Sequence, residues 1–229
     1  NKIYNLINNN TKAVIPVHLF GFPVDIFKLR DIVGDDIYII EDCAQSHGAK
    51  VGEHLTGSMG DINCFSLHPA KVLSSLGDSG IITTNDENLY KKCLLFRNFG
   101  LKDRDSTILI GYNSRLDNIY AAIMYKKLDI IQDSLNRRLN NASIYYNELS
   151  TLSEIILPPN IEGYKNVHKM DPGSNRRHRE AGRSWWALSG GDQSCGQYPA
   201  GGRCTNCKRC RNKSLYGFNK RNLSTHLAK

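Results

Sequence analysis

Apolar residues follow two rhythms along the first half of the chain. Ala13–Leu19 (AVIPVHL) is a short apolar run rich in β-branched residues and ended by Gly21. Ile37–Ile40 (IYII) is a second, stopped by Glu41 and Asp42, and Ile62–Leu67 and Gly80–Thr84 read as a third and a fourth strand. Between the first two, Ile26, Leu29, Ile32 and Val33 recur at helical spacing from Asp25 onward. After the fourth, Asn85-Asp86-Glu87 predicts a helix start. Asn85 is the expected N-cap, accepting from orphan amides, and the acids suit the positive helix end. That helix is expected to run to about Asn98, before Gly100. Continuous apolar strands separated by helices predict an α/β fold whose sheet is covered on both faces.

From Ser114 or Arg115 to about Thr151 neither Pro nor Gly interrupts the chain. Leu116, Ile119, Ile123, Leu128, Ile131, Leu135 and Leu139 keep close to the helical period. The spacing predicts one helix on the order of 50 Å long, at 1.5 Å per residue. Pro158-Pro159 ends the region. Beyond Asp171 no period is sustained, and the text turns rich in Gly and polar residues. The expected organisation is therefore 1–113, an α/β sheet portion; 114–168, a long helix and the start of a smaller unit; and 169–229, an irregular basic tail that contains cysteines.

The 229 residues are 40% hydrophobic and 23% charged, which excludes collagen, coiled coil and wholesale disorder. No apolar run approaches the ~20 residues of a membrane span. The start, NKIYNLINNN, has no apolar signal-peptide core, so a cytoplasmic chain without a membrane partner is expected. The net charge of +8 divides unevenly. Residues 1–159 hold 16 Lys/Arg and 18 Asp/Glu (16 − 18 = −2), and residues 160–229 hold 14 and 4 (14 − 4 = +10). The basic character thus belongs to the tail, with Trp185, Trp186 and four of the seven cysteines.

Four stretches at strand ends carry chemistry, which is where open α/β sheets bind ligands. In EDCAQSHGA (41–49) the acid is either a turn or cap residue or a carboxylate aimed at a ligand cation, with Gln45 and His47 beside it. In FSLHPAK (65–71) Lys71 is either a solvated loop residue or an amine whose pocket makes it nucleophilic towards a carbonyl. GDSG (77–80) is a turn or a close backbone approach to a ligand. In GYNSRLD (111–117) Asn113 and Arg115 either cap the long helix or bind an anion at its start. No phosphate-loop, dinucleotide, nucleophile-elbow or zinc-protease signature is present.

In their order and spacing, VIPVHLFG, EDCAQSHGA, GDINCFSLHPAK, GDSGIITTNDE, LFRNFG and GYNSRLD followed by the long helix resemble the DegT/StrS family of sugar aminotransferases. The resemblance runs from about residue 11 to 168. It implies the large-domain portion of a pyridoxal-phosphate-dependent transferase, of the aspartate-aminotransferase-like fold type I, over 1–113. The small domain would begin within 114–168. It implies that Asp42 pairs with the pyridine nitrogen of pyridoxal 5'-phosphate and that Gln45 lies on the side of the phenolic oxygen. It also implies that Ser66 helps hold the phosphate and that Lys71 bonds the cofactor aldehyde and later moves the proton. Asn113 would reach the phosphate in a neighbouring subunit, which implies a homodimer with shared active sites. The implied reaction moves an amine from a donor, typically glutamate, to a nucleotide-linked keto sugar. The product would enter a surface polysaccharide or a glycosylated metabolite.

Family members also carry, before VIPVHLFG, a Ser-Gly-Thr phosphate loop and an aromatic that stacks on the ring; neither is in this sequence. The family pattern stops near His168–Met170. The expectation is a chain that keeps the lysine and the aspartate with part of the phosphate cup. Each missing bond to the charged phosphate costs about 1.5–3 kcal/mol, so the expectation is weak cofactor binding and impaired activity in the chain as it stands. Two alternatives stand beside this reading. One is a non-catalytic fragment or partner subunit. The other is a metal- or nucleic-acid-binding tail built on Cys204-x-x-Cys207-x-x-Cys210, with Cys195 upstream and Lys208, Arg209, Arg211 and Lys213 alongside. That spacing matches no paired zinc pattern and no His lies at a matching distance, so neither metal nor nucleic acid is the expected partner. Cys43, Cys64 and Cys93 are expected as reduced core thiols.

Overall fold

The computed structural model of the chain describes residues 2–167. The tail cysteines, Trp185-Trp186 and the boundary at 169 lie outside the described residues. Among the described residues the strands are β1 (Ala13–Val14), β2 (Tyr38–Asp42), β3 (Lys50–Val51), β4 (His54–Leu55), β5 (Ile62–Ser66), β6 (Gly80–Thr83) and β7 (Tyr164–Lys165). The α-helices that accompany them there are α1 (Ile26–Val33), α2 (Glu87–Phe96), α3 (Asn118–Leu128) and α4 (Ile131–Leu149).

The main sheet has the order β1-β2-β5-β6, and β3, β4 and β7 make a smaller antiparallel one. β1, β2 and β5 are parallel, while β6 pairs antiparallel with β5. The reversal follows from the connection. Residues 67–79 form no helix, and a crossover helix is the usual route back to a parallel partner. The first predicted run is shorter as a strand than its apolar pattern suggests. Pro16 has no amide to give to a ladder, and beyond it only Val17 bridges to Asp42.

Asp25 begins α1 as the spacing predicts: its Oδ1 accepts from the Lys28 amide at 3.0 Å. The helix lays Ile26, Leu29 and Val33 against Ile37 and Ile39, forming the first core cluster on one face of the sheet. The expectation of a sheet covered on both faces needs correction. On the other face, which the register assigns to Tyr38, Asp42 and Cys64, Tyr38 is 56% exposed and Cys64 is exposed. Cys64 is therefore no core thiol. The buried neighbouring position on β5 goes to Asn63, whose amide donates to Gly57 O and Thr83 O at 2.9 and 3.2 Å. Cys93 is half-buried, and Cys43 is buried as expected.

The cap of α2 falls one residue later than the sequence suggests. Asp86, not Asn85, accepts from the Asn88 and Leu89 amides at 2.7 and 2.9 Å. The single long helix is also corrected. It breaks at Asp129–Ile130, where Ile130 adopts φ −115° and ψ 5°. The reason lies in packing. Met124 and Leu128 belong with Leu67 and Leu73, Leu135 belongs with Ala49 and Val167, and Ile131 touches both clusters. A straight helix presents its apolar stripe to one surface; the break presents it to two.

Candidate functional site

Asp42 closes β2 at the carboxyl end of the parallel strands. Its amide donates to Pro16 O at 2.9 Å and its carbonyl accepts from the His18 amide at 3.1 Å. The carboxylate is half-buried. Oδ1 accepts from the Ala44 amide at 3.0 Å, and Oδ2 has no hydrogen-bond partner among the described residues. Register pairs Asp42 with Cys64 on the adjacent strand. Ser66 lies two residues further on the same face, roughly 7 Å along the strand. Its Oγ accepts only a long bond, 3.4 Å, from the His68 amide.

Lys71 follows five residues after Ser66, half-buried, in the loop from β5 to β6. Its backbone amide donates to His68 O at 2.8 Å, and its ammonium group has no partner among the described residues. Gln45 sits in the turn after β2, where its Oε1 accepts from the Phe20 amide at 2.8 Å. That bond leaves the Gln45 NH₂ group as the free end, a donor. Asp42, Gln45, Ser66 and Lys71 thus all lie on the segments that leave two adjacent parallel strands.

Asn113 lies elsewhere. It is exposed and bridges to Asn98 at the root of an arm formed by residues 98–113. Neither Asn113 nor Arg115 stands at a helix start, because α3 begins only at Asn118, after Asp117. The Arg115 guanidinium instead lies over the Phe99 ring, 5.5 Å from its centroid. Phe99 has a positive φ of 56°, so this cation–π contact holds a strained residue at the base of the arm.

Sequence reasoning did not see a buried knot directly beneath Asp42. His18 and Glu41 are both fully buried, and Glu41 Oε2 lies 2.8 Å from His18 Nε2. His18 Nδ1 accepts from the Val24 amide at 2.9 Å, which puts the ring proton on Nε2 and makes that nitrogen the donor. Glu41 Oε2 also accepts from the Gly57 amide at 3.0 Å, and Oε1 accepts from Met59 and Gly60 at 2.8 and 2.7 Å. Burial pushes the Glu41 carboxyl up, but the His18 bond and the Gly57 and Gly60 amides outweigh it and hold it below the ordinary range. Burial, with the Glu41 charge nearby, pushes the Cys43 thiol far up, so it stays protonated. His18, Glu41 and Cys43 offer their ligand atoms within 4.8 Å of one another. Both His18 nitrogens and all four lone-pair directions of Glu41 are nevertheless engaged in hydrogen bonds. The cluster is a structural knot that fixes the end of β2. The signal in the sequence was a histidine near the end of the first apolar run, Ala13–Leu19, and an acid directly after the second, Ile37–Ile40.

A family model described as the DegT/DnrJ/EryC1/StrS aminotransferase family matches residues 1–177. The chain belongs to that family. It is 36% identical over 152 residues to GDP-perosamine synthase of Escherichia coli O157:H7, covering 65% of this chain and 42% of the relative. It is 40% identical over 145 residues to dTDP-3-amino-3,6-dideoxy-alpha-D-galactopyranose transaminase of Aneurinibacillus thermoaerophilus, covering 63% of this chain and 40% of the relative. Among solved structures, DesV of S. venezuelae in complex with a ketimine intermediate aligns with a TM-score of 0.67 and 34% identity, covering 73% of this chain and 45% of that one. The chain thus spans under half the length of these relatives. The large-domain fold that the motifs imply is the fold of these neighbours. Among the described residues, no helix is long and apolar enough to cross a membrane.

Proposed function

We propose that this chain forms the cofactor-binding part of a pyridoxal-phosphate-dependent aminotransferase that aminates a nucleotide-linked keto sugar. The observation that carries the reading is the placement of Asp42 and Ser66 on one sheet face at adjacent strand ends, with Lys71 on the loop that follows. The donor set fits the cofactor. Among the described residues, Asp42 has an oxygen free for a ring N–H, Ser66 has a hydroxyl free for phosphate, and the Lys71 amine is unpaired. When bound, pyridoxal phosphate supplies an aldehyde to carry the amine and a ring to take up the electrons of a broken C–H bond.

Asp42 would hold the ring nitrogen in its protonated form, and the Gln45 NH₂ would donate to the phenolic oxygen. Lys71 would hold the aldehyde end and afterwards take and return the proton at the substrate carbon. Positioned proton transfer of this kind contributes roughly 10²–10⁴-fold. Glutamate is the proposed amino donor. The names of the relatives support a nucleotide-linked sugar as the acceptor.

The proposed assembly is a homodimer in which Asn113 serves the neighbouring site. Its exposure supports this, as does the apolar arm beside it, where Ile108, Ile110 and Tyr112 are 58%, 89% and 52% exposed. Residues 1–113 and 114–168 are proposed as the large-domain portion and the beginning of the small domain, and the cytoplasm as the location.

Titrating the chain with pyridoxal phosphate and following the visible band of the lysine-bound cofactor tests the reading. Asp42→Asn keeps the shape of the side chain and removes its charge. We expect its apparent affinity to fall about tenfold, the scale of one charged hydrogen bond. Unchanged affinity in Asp42→Asn, or no band in the parent chain at saturating cofactor, overturns it.

A further inference from the structure

Lys71 sits on residues 67–79, a loop with neither helix nor strand, yet the reaction proposed above needs its amine in one place. The loop is pinned at its base. The Leu67 amide donates to Ser79 O at 2.8 Å and the Ser75 amide donates to Leu67 O at 2.7 Å. Leu67 and Leu73 are buried with Met124 of α3. These bonds fix where the loop leaves and returns. Between them, the only side chain outside the loop that bonds to the stretch following Lys71, among the described residues, is Lys127.

Lys127 lies on α3, one turn beyond Met124, and is half-buried. Its Nζ donates to Ser74 O at 2.6 Å and to Ser74 Oγ at 3.0 Å, across 53 residues of sequence. A single ammonium group thus holds both acceptors of one residue, which fixes that residue's backbone and side chain together. Bonds from a charged donor are about twice as strong as neutral ones. The adjacent Lys126 pairs with Asp129 at 3.6 Å on the exposed side and has no such role. Ser74 is three residues from Lys71, and on the other side the Lys71 amide is tied to His68 O. Lys71 is therefore held from both directions.

We propose that Lys127 is a positioning residue for Lys71: it clamps the loop against α3 so that the Lys71 amine is presented at the strand ends where Asp42 and Ser66 lie. The inference rests on the proposed role of Lys71, and two readouts on the full chain keep the two claims apart.

The first is hydrogen exchange at the Ser75 amide, which is bonded to Leu67 O next to the clamped Ser74, compared between the parent chain, Lys127→Met and Lys127→Gln. Met keeps length and loses the donor; Gln keeps one donor. Loss of the clamp is expected to speed exchange at this amide by about tenfold or more, as for one lost charged hydrogen bond, and Gln is expected to recover part of it. Exchange in β2 and β5 should not change. The second is the pyridoxal phosphate titration, in which Lys127→Met should weaken apparent affinity about tenfold and Lys127→Gln should restore most of it. Unchanged exchange at the Ser75 amide in Lys127→Met overturns the clamp. Faster exchange with unchanged cofactor affinity overturns the positioning role. Faster exchange in a chain whose parent shows no band leaves the clamp standing as a purely structural tie, which also overturns the positioning role, and places the failure in the reading of Lys71.

Discussion

Glu41→Gln is expected to destabilise the chain by about 2–6 kcal/mol, since an amide cannot replace the carboxylate at both ends. The glutamine oxygen can serve the Met59 and Gly60 amides, but its NH₂ then faces the Gly57 N–H and the His18 Nε2–H. Two buried donors lose their acceptor, and each costs about 1–3 kcal/mol. Turning the amide over only exchanges one orphaned pair for the other. Urea unfolding measures the loss, and a midpoint equal to that of the parent chain would contradict it. The same site sets part of the acid limb. Folding lowers the Glu41 pKa, so its contribution is complete above the ordinary glutamate value and is lost as pH falls through the lower native value. The parent chain should therefore lose stability on acidification more steeply than Glu41→Gln does.

Gly100→Ala is expected to open the arm that carries Asn113. Gly100 has φ +71°, and an added Cβ would lie 1.7 Å from the Leu109 carbonyl oxygen. A positive φ alone costs a residue with a side chain about 1–2 kcal/mol. The clash is with backbone, so no rotamer change relieves it. The bonds from the Ile108 amide to Gly100 O and from the Phe99 amide to Tyr112 O, both 3.0 Å, must then be lost. Amide exchange at Ile108 and Phe99 should rise by about 100-fold or more, while the cluster around Ile39 keeps its protection. If the arm joins two copies, sedimentation of Gly100→Ala should shift towards the single chain. Retained protection at both amides would show that the arm tolerates the side chain.

The parts of the fold that were legible in the sequence are those whose cause is local. Asp25 and the spacing of Ile26, Leu29 and Val33 announce α1, and the runs at Ile37–Ile40 and Ile62–Leu67 announce the central strands. Asp42, Gln45, Ser66 and Lys71, to which the proposed chemistry is assigned, stand out in the sequence because they follow the ends of those runs, whereas Asn113 lies on the arm. What escaped depends on partners distant in sequence. The break at Ile130 has no Gly or Pro to mark it and exists because Leu135 and Met124 pack into different clusters. The shift of the α2 cap by one residue follows from Thr84, whose hydroxyl donates to Asp61 O at 2.6 Å and accepts from the Asp86 amide at 3.1 Å. The His18–Glu41 knot spans 23 residues and the Lys127–Ser74 clamp spans 53, and neither leaves a periodic trace. Cys64 misled for a related reason. On a strand, position in the alternation decides burial, and its neighbour Asn63 had the stronger claim to the inside.

Reducing the chain with borohydride in the presence of pyridoxal phosphate, then mapping the labelled peptide by mass spectrometry, weighs the central claim most directly. The account predicts that the pyridoxyl group is found on Lys71, well above exposed lysines such as Lys102 and Lys126, and is absent from that peptide in Lys71→Ala. Label spread evenly over the surface lysines, with Lys71 no more reactive than the rest, would contradict it.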